Sequence, residues 1–495
     1  MQTSYRTHTC GELTKNNSGE EARLCGWVSG RRDHGGVIFI DLRDRYGITQ
    51  VVFNPDSKDF KEADKLRRED VISINGKLRL RPKGMENKNI KTGEIEILCS
   101  ELLVINKSEI PPFEIDDRIE ASEDLRLKYR YLDLRRPIMQ QRLLLRHKAA
   151  QSTREYLSSQ NFLEIETPMF VKTTPGGARV FKVPSRVHPG KFYSLPESPQ
   201  MYKQLLMVSG CDRYFQMARC LRDEDLRVDR QPEFTQIDIE MSFIEKEDIF
   251  KIVEGLLKNI FKKTLNVDIK IPIKTLTYNE AMSKYGSDKP DLRFGLELKD
   301  VTNIMKHSDF SIFKSVADKG GVVYCLNAKS CGKFSRTEIE EIIETAKTYH
   351  LPGLAWIKVE AGCKLESSIV KYLPEKVQKE LVKEVDAKEN DLLLFAAEHL
   401  EKALNALGQV RLHVGNKLGL IKKDDFKFCW ITDFPLFEWN EDTNSWQAKH
   451  HIFTSPLDED LEYLEKDPGR VRAKAYDIVL NGVEIGGGSI RINKR

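Results

Sequence analysis

The sequence predicts an α+β protein of several domains, on three observations. Five short β-rich runs, with one helical segment after the third, fill the first 110 residues. Two alternating apolar runs between Tyr214 and Phe243 enclose a charged loop, which is the pattern of an antiparallel hairpin. From about residue 291 to 425, β-like pieces alternate with Lys- and Glu-rich helices. A chain of 495 residues with 40% hydrophobic content is long enough for two to four domains.

The N-terminal pattern is the element order of an OB-fold β-barrel, whose sheet face commonly binds oligonucleotides. Trp27, Phe39 and Phe53 are candidate stacking platforms, although an aromatic residue in a strand is often a core residue instead. Between Lys77 and Lys91, six basic residues stand against one acid. Such a loop favours a single-stranded nucleic acid, and a solubilising surface loop is the alternative.

The rest of the chain divides by composition. Residues 111–140 are Pro-led and charged, which predicts a hinge and then a helix that ends at Pro137. A long amphipathic helix from Ile138 runs into the strand-like NFLEIETPMF. The strand pattern resumes after the mixed region in AYDIVLNGVEIGGGSIRI. The predicted domains are therefore a barrel, a hinge, the first part of a central domain, an inserted α+β domain and the second part of the central domain, at 1–110, 111–140, 141–290, 291–425 and 426–495.

Charge, cysteines and hydropathy narrow the class of protein. A net charge of +3 neither indicates nor excludes a nucleic-acid partner. The nine cysteines are scattered without a CxxC pair, which favours reduced thiols over a disulfide framework or a zinc site. No apolar run approaches the roughly 18 residues that cross a bilayer, and the N-terminus has no signal-peptide core. We therefore expect a soluble cytoplasmic protein with no membrane partner.

The charged tip of the hairpin carries chemistry that suits a nucleotide. Arginines can hold phosphates, the ring of Phe234 can stack on a base, and carboxylates can hold a metal ion or an amine. The run RDEDLRVDRQPEFTQID resembles motif 2 of the class II aminoacyl-tRNA synthetases, in the form typical of bacterial-type aspartyl members. The resemblance covers essentially the whole chain. It implies an OB-fold anticodon-binding domain, a class II antiparallel-sheet catalytic domain, an inserted GAD-like domain and a homodimer formed through motif 1, near Thr167 and Pro168.

The resemblance also implies an activity. Members of this family activate L-aspartate with ATP and Mg²⁺ to aspartyl-adenylate and transfer the aspartyl group to tRNA(Asp), in some cases also to tRNA(Asn). Asparaginyl and lysyl ligases are the nearest enzymatic alternatives. Relatives continue beyond residue 495 into motif 3, which predicts a chain that lacks this motif, so a catalytically impaired tRNA-binding fragment is the second hypothesis.

Site residues follow from the matching motifs. The catalytic residues implied by the resemblance are Arg222, Glu224 and Arg491. Aspartate is expected to contact Gly176, Ser198, Gln200, Lys203, Arg222, Asp238, His450 and Arg491. ATP is expected to contact Arg222, Asp223, Glu224, Gln231, Phe234 and Glu484, and Mg²⁺ to bind Asp477 and Glu484. The expected anticodon contacts are Arg31, Arg32, Phe39, Gln50 and Glu96, and a relaxed choice of tRNA is implied by His34 and Gly84.

Overall fold

In the computed structural model, which describes residues 2–173, 178–227 and 230–494, the chain divides into a unit of residues 1–149 and a unit of residues 150–495. All nine cysteines are free. No helix in these described ranges is long and apolar enough to span a bilayer.

The first unit is built on a closed barrel with the strand order β1-β2-β3-β5-β4. Its elements are β1 (Glu21–His34), β2 (Val37–Arg43), β3 (Ile48–Phe53), α1 (Phe60–Asp64), β4 (Val71–Leu80) and β5 (Ile95–Asn106). Alternate strand residues point inward and form the barrel core, as the period of two requires. The predicted five strands with a helix after the third are confirmed. Phe53 is fully buried in this core, so only Trp27 and Phe39, which are half-buried, remain candidates for stacking.

The segment after the barrel packs onto it. It forms α2 (Glu123–Lys128) and α3 (Arg130–Asp133) before α4 (Pro137–Ser159) begins. The Arg135 guanidinium lies 5.0 Å from the Trp27 ring and donates a hydrogen bond of 2.7 Å to Glu69. Arg43 donates two further bonds of 2.8 Å to the same buried carboxylate. The segment predicted as a hinge is therefore part of the first unit, and the predicted domain boundaries stay predictions.

The second unit begins with a three-stranded sheet of order β10-β9-β6. β9 and β10 form the antiparallel hairpin predicted from the alternating runs, whereas β6 pairs with β9 in parallel. The elements up to the insertion are β6 (Leu163–Glu164), β7 (Lys182–Pro184), β8 (Phe192–Ser194), α5 (Gln200–Val208), β9 (Arg213–Leu221), β10 (Glu233–Met241), α6 (Lys246–Leu265), β11 (Lys274–Thr277) and α7 (Tyr278–Tyr285).

The insertion is a five-stranded sheet of order β12-β13-β16-β14-β15, with every pair antiparallel. One apolar cluster joins a face of this sheet to α10 and α12, and a second joins the other face to α9 and α11. Its elements are β12 (Leu298–Asp300), α8 (Thr302–Met305), α9 (Ser311–Asp318), β13 (Val322–Ala328), α10 (Arg336–Thr348), β14 (Ala355–Val359), β15 (Leu365–Glu366), α11 (Glu375–Glu384), β16 (Leu392–Glu398) and α12 (Leu400–Lys417).

After the insertion the chain completes a second sheet, of order β11-β17-β20-β21. The elements are β17 (Phe428–Thr432), β18 (Phe437–Asn440), β19 (Ser445–Ala448), β20 (Ala475–Leu480) and β21 (Val483–Ser489). Helix α6 supports both small sheets, since Ile249 packs with Trp430 and Leu256 packs with Phe215. Buried Glu254 accepts a bond of 3.0 Å from the Trp430 indole. The helix covers one side of the sheets and leaves polar strand residues on the other.

Candidate functional site

Strand β10 presents two carboxylates on one face because its side chains alternate. Ile239 packs toward α6, while Asp238 and Glu240 point to the opposite side. Lys203 of α5 reaches both, with its Nζ 2.7 Å from Asp238 Oδ1 and 3.3 Å from Glu240 Oε2. Lys203 and Asp238 are both buried. The attraction within a buried ion pair offsets the cost of desolvating both charges only when the geometry is this close.

Arg491, just after β21, extends this network. Its Nη2 donates 2.9 Å to Gln200 Oε1 and its Nη1 donates 2.6 Å to Ser489 Oγ. Its Nε lies 3.9 Å from Glu240 Oε1, and its guanidinium lies 4.7 Å from the Phe453 ring. The fork is thus held in one orientation by contacts on several sides.

Three polar atoms of this network are buried without a hydrogen-bond partner in the described part of the chain: Gln200 Nε2, Asp238 Oδ2 and Arg491 Nε. An unsatisfied buried polar atom costs about 1–3 kcal/mol, so three in one connected network indicate a missing ligand. Two are donors and one is a carboxylate acceptor. This set is complementary to an ammonium group and a carboxylate, the charged groups that every free amino acid carries.

The hairpin places Arg222 and Phe234 together. Phe234 pairs with Cys220 across the two strands, and the Arg222 amide donates 2.8 Å to Pro232 O. The Arg222 guanidinium lies 5.1 Å from the Phe234 ring, and its Nε donates 3.4 Å to Glu197 O. A cation beside an aromatic face suits a nucleotide phosphate and its base.

The tip of the hairpin is more open. Glu224 lies 3.7 Å from the guanidinium of Arg230, and Asp223 and Gln231 are exposed. Gly176 lies outside the described residues. Ser198 is half-buried and lines a small pocket with Glu197 and Gln200, the residue that accepts a hydrogen bond from Arg491.

Asp477 of β20 and Glu484 of β21 form an acidic pair at the edge of the second sheet. Burial, together with the charges of Glu484 and Asp288, raises the pKa of Asp477 to about 8. Burial also raises the pKa of Glu484. Repulsion between two buried carboxylates is reduced when they bind a hard cation, which prefers oxygen ligands. Within the described ranges, no group of three or more His, Cys, Asp or Glu side chains is arranged to hold a metal ion.

The two adjacent histidines differ in their neighbours. His450 packs edge-on against Phe434, at 4.9 Å between ring centroids. His451 stacks on Phe453, the ring that also contacts Arg491. The surrounding protein removes the ring from water, and Arg491 and other cations repel its charged form. Both effects lower the pKa of His451 to about 4. His451 therefore lies beside the arginine fork, and the aspartate contact predicted for His450 stays a prediction.

A separate polar network lies on the barrel. Arg32 and Phe39 are opposite each other in the β1–β2 pair and therefore share a face. Arg32 donates 3.3 Å to Gln50 Oε1, and Gln50 donates 2.8 Å to buried Glu96. The structure thus brings together four of the five predicted anticodon contacts. Arg31 points to the other side, where it pairs with Asp64 of α1.

His34 and Gly84 occupy exposed positions of the same unit, His34 in a strand and Gly84 in a turn. His34 ends β1 opposite Val37. Gly84 has φ +87°, a left-handed conformation that favours glycine, although a Cβ there would meet open space. Backbone conformation rather than packing therefore explains this glycine.

Comparison with known proteins identifies the family to which this chain belongs. A family model described as class II tRNA synthetases (D, K and N) matches residues 122–495, and an OB-fold nucleic acid binding domain matches residues 22–105. The chain is 54% identical over 491 residues to the aspartate–tRNA(Asp/Asn) ligase of Geotalea uraniireducens, covering 99% of this chain and 83% of that protein. It is 52% identical to the aspartate–tRNA ligase of Ruminiclostridium cellulolyticum, covering 99% and 82%. The chain belongs to the aspartate–tRNA ligase family.

Solved structures support the fold of this aspartate–tRNA ligase family member. An asparaginyl-tRNA synthetase from Entamoeba histolytica, in complex with asparaginyl-adenylate, aligns with a TM-score of 0.56 at 18% identity, over 97% of this chain and 83% of that chain. The aspartyl tRNA synthetase of the same organism aligns with a TM-score of 0.55 at 17% identity, over 98% and 78%. The predicted OB-fold and class II catalytic folds are confirmed. The predicted absence of motif 3 stays a prediction.

Two residues of the ligase site were not selected from sequence. Glu240 follows Asp238 by two positions, so strand alternation alone puts both on one face, and this signal was sufficient to include it. His451 has no such signal, because sequence cannot show which of two adjacent loop histidines turns toward Arg491.

Proposed function

We propose that this ligase activates L-aspartate with ATP and then transfers the aspartyl group to tRNA. The assignment of an amino acid substrate rests on the unpaired buried atoms of Gln200, Asp238 and Arg491. Asp238 accepts from the substrate ammonium, with Ser198 beside it, whereas the unpaired Nε2 of Gln200 is a donor and suits a carboxylate oxygen of the substrate instead of the ammonium predicted for it. Lys203 and Arg491 take the side-chain carboxylate. A bidentate guanidinium separates aspartate from asparagine, because an amide offers it only one acceptor oxygen.

In the first step, an α-carboxylate oxygen of aspartate attacks the α-phosphorus of ATP. A carboxyl–phosphate bond forms, the bond to the β-phosphate oxygen breaks, and pyrophosphate leaves. In the second step, a hydroxyl of the terminal tRNA adenosine attacks the carbonyl carbon and AMP leaves. The protein contributes positioning and charge neutralisation.

We assign roles to the motif 2 residues from the family resemblance, supported by the contact of Arg222 with the Phe234 ring. Arg222 holds the α-phosphate and the charge that grows there, and Phe234 stacks on the adenine. Glu224 is assigned to the adenine or the tRNA end, and Asp223 and Gln231 are assigned to ATP. Gly176 and His450 are proposed aspartate contacts from the family resemblance.

Asp477 and Glu484 fit a magnesium ion, since both offer oxygen ligands and burial opposes their charges. When bound, Mg²⁺ would neutralise part of the phosphate charge of ATP. Asp477 and Glu484 are the residues that would hold it.

We propose that the barrel reads the anticodon of tRNA(Asp) and, in addition, tRNA(Asn). The Arg32, Gln50 and Glu96 network and the half-buried Phe39 supply donors, acceptors and a stacking ring for unpaired bases. Arg31, His34 and Gly84 are assigned to this site from the family resemblance. We further propose a cytoplasmic homodimer, which is supported by the exposed Leu143, Leu144 and Leu145 of α4.

Aspartate-dependent exchange of pyrophosphate into ATP tests the activation step. We expect exchange with aspartate and little with asparagine or lysine, the other amino acids of the matched family. Lys203→Met should weaken aspartate binding strongly because it leaves Asp238 and Glu240 buried without their cation. An absence of exchange with aspartate, under conditions where ATP binds, would contradict the proposal.

Charging of purified tRNA(Asp) and tRNA(Asn) tests the tRNA choice. His34→Leu is expected to reduce charging of tRNA(Asn) several-fold more than charging of tRNA(Asp). The matched control is His188→Leu, an exposed histidine of the other unit. An unchanged ratio of the two rates in the His34 variant would remove this residue from the assignment.

A further inference from the structure

The hairpin of β7 and β8 lies in the longest stretch of the chain without an acidic residue. No Asp or Glu occurs between Glu166 and Glu197, whereas five lysines and arginines and one histidine do. The chain as a whole is nearly balanced, with 76 acids against 79 lysines and arginines. Three of the cations, Lys182, Arg186 and Lys191, belong to the hairpin. A local excess of positive charge of this kind attracts a polyanion.

The three hairpin cations are not used by the protein itself. All three are exposed, and none of them forms an ion pair with a carboxylate of residues 2–173, 178–227 or 230–494. The turn that carries Arg186 is closed by a bond of 2.9 Å from the Ser185 amide to Lys191 O. The positive charges of the hairpin therefore face solvent and remain available to an anionic ligand.

Phe192 adds an exposed aromatic ring to these cations. Its side chain is 61% exposed. In the antiparallel pairing, Phe192 lies opposite Pro184 and Lys182 lies opposite Ser194, so all four side chains project from the same face. Proteins bind single-stranded nucleic acids with this combination, because rings stack on bases while cations hold the phosphates.

The base of the hairpin is joined to the proposed aspartate and ATP site. Ser194 is buried and lines the same small pocket as Ser198 and Gln200. On the other side of the base, the Asp223 amide of the motif 2 hairpin donates 2.7 Å to Arg179 O, three residues before β7. The β7–β8 hairpin is therefore a wall of the site and not a distant surface loop.

The face that carries Phe192 runs outward from this site. Ser194 is buried at the pocket, Lys182 and Phe192 are exposed beside it, and Lys191 is exposed at the turn. At about 3.3 Å per residue, the distance from Ser194 to Lys191 along the strand is roughly 10 Å. The hairpin thus offers a continuous basic and aromatic path between the pocket and solvent.

The second step of the proposed reaction needs such a path. The terminal adenosine of the tRNA has to reach the activated carboxyl group inside the site. The nucleotides that precede it are unpaired, and each brings one phosphate and one base that can stack. These nucleotides have to leave the site along one of its walls.

We propose that the β7–β8 hairpin binds the single-stranded 3′ end of the tRNA, with Lys182, Arg186 and Lys191 on its phosphates and Phe192 stacked on one of its bases. The inference rests on the proposed function, and it adds a tRNA-binding surface to the barrel and the motif 2 hairpin.

The test compares, for the full chain, the Kd of intact tRNA(Asp) with the Kd of the same tRNA from which the unpaired 3′ nucleotides are removed. The triple variant Lys182→Ala, Arg186→Ala, Lys191→Ala should bind intact tRNA roughly tenfold more weakly. The slope of log Kd against log salt should fall by about 2, because each phosphate contact with a single strand contributes about 0.7. The shortened tRNA should bind the variant and the wild type alike.

A second triple variant controls for the change in net charge. Lys376→Ala, Lys379→Ala, Lys383→Ala removes three exposed lysines from α11 of the insertion. It lowers the net charge by the same three units and should leave the affinity for both forms of the tRNA unchanged. An equal loss of affinity in the two triple variants would overturn the proposal, because a general field and not the hairpin would then attract the tRNA.

Phe192→Leu tests the stacking contact. Loss of one stacked base should weaken binding of intact tRNA roughly fivefold or more, and Phe192→Tyr should retain the affinity. The matched control is Tyr193→Leu, because Tyr193 projects from the opposite face of the hairpin and packs against Phe170, at 5.3 Å between ring centroids. Equal affinities in Phe192→Leu and the wild type, at equal unfolding temperatures, would exclude the stacking role.

Three further measurements decide between occupants. Charging of tRNA(Asp) and tRNA(Asn) should fall in the same proportion in the hairpin triple variant, because both tRNAs end in CCA. Equal losses for intact and shortened tRNA would overturn the assignment to the 3′ end. Unchanged tRNA affinity with a shift from dimer to monomer in sedimentation would make the hairpin a contact between two copies of the chain, and would overturn the proposal as well.

The activation step separates this inference from the proposed function. Aspartate-dependent pyrophosphate exchange needs no tRNA, so it should be unchanged in the hairpin triple variant. Absent exchange in the wild-type chain counts against the proposed function, while the comparison of intact and shortened tRNA still decides whether the hairpin binds the 3′ end.

Discussion

The Arg222 side chain contacts the Phe234 ring and donates to the carbonyl of Glu197. Removing it should abolish stabilisation of the α-phosphate charge while leaving the barrel untouched. Arg222→Ala is expected to lower the rate of adenylate formation about a hundredfold to a thousandfold, as loss of one oxyanion donor does. Pre-steady-state adenylate formation and tRNA binding, measured in parallel, check this prediction.

Arg219 provides the matched control for Arg222. It lies on β9, three residues before Arg222, and forms a surface ion pair of 3.2 Å with Glu233, with more than half of each side chain exposed. Exposed pairs of this kind contribute about 0–1 kcal/mol. Arg219→Ala should therefore leave adenylate formation nearly unchanged, and equal losses in adenylate formation and tRNA binding for Arg222→Ala would rule out its assigned role.

The His451 ring should remain neutral at pH values well below the usual pKa of histidine. Its pKa falls from the ordinary 6.5 to about 4 because the protein crowds the ring and because Arg491, His450, Arg222 and Lys203 repel its charged form. The folded pKa is below the unfolded one, so its contribution to stability is complete above about pH 6.5 and is lost as the pH falls toward 4.

Ligand binding should shift this titration. Aspartate brings a carboxylate to Arg491 and cancels part of the repulsion, so it should raise the pKa of His451. Asparagine, which carries no side-chain charge, should raise it less. NMR titration of the His451 ring measures both effects, and equal shifts with the two amino acids would contradict the assignment of Arg491 to the side chain.

At the scale of elements, the β20–β21 hairpin offers a test with neighbouring glycines. A Cβ on Gly487 would lie 2.2 Å from Asp477 Oδ1, whereas one on Gly486 would meet only Ile478 Cγ2 at 3.4 Å. Gly487→Ala should therefore displace the Asp477 side chain and raise KM for ATP roughly tenfold, the effect of losing one charged contact. Gly486→Ala should be tolerated. Kinetics and thermal unfolding of both variants check this, and identical ATP constants would exclude Asp477 from the ATP site.

The β9–β10 hairpin was predictable because its alternation is local in sequence. Its contact with Lys203 was not, since that requires α5 to pack over β10 from outside the hairpin. For Phe53, the secondary structure was predictable but the burial of the side chain was not. Its strand was predicted, but only the closure of the barrel decides that its ring faces inward.

At the scale of the molecule, the first unit makes a prediction about independent folding. A fragment of residues 1–136 should unfold at a higher temperature than one of residues 1–110, because only the longer fragment contains Arg135, with its bonds to Glu69 and its contact with Trp27. A gain of about 1 kcal/mol corresponds to roughly 4–8 °C in a domain of this size. Circular dichroism measures both midpoints. Arg135→Ala in the longer fragment should remove most of the gain, and equal midpoints for the two fragments would disprove the packing role of this segment.

The arrangement of domains was partly predictable from sequence. Composition changes marked the insertion, because its Lys- and Glu-rich helices differ from the flanking strands. Its backbone contact with the chain that precedes it, between Gly286 and Gly408, was not readable, because these residues are distant in sequence and have no periodic pattern.

The parallel pairing of β11 with β17 bears on how this chain reaches its native state. The whole insertion separates these strands in sequence, and a long unfolded loop makes such a pairing slow. Once folded, the insertion brings its own ends together, as Arg293 Nη1 donates 3.2 Å to Lys422 O. The insertion is also synthesised before β17. The second catalytic sheet is therefore expected to assemble late, on ends that an already folded domain has brought within reach.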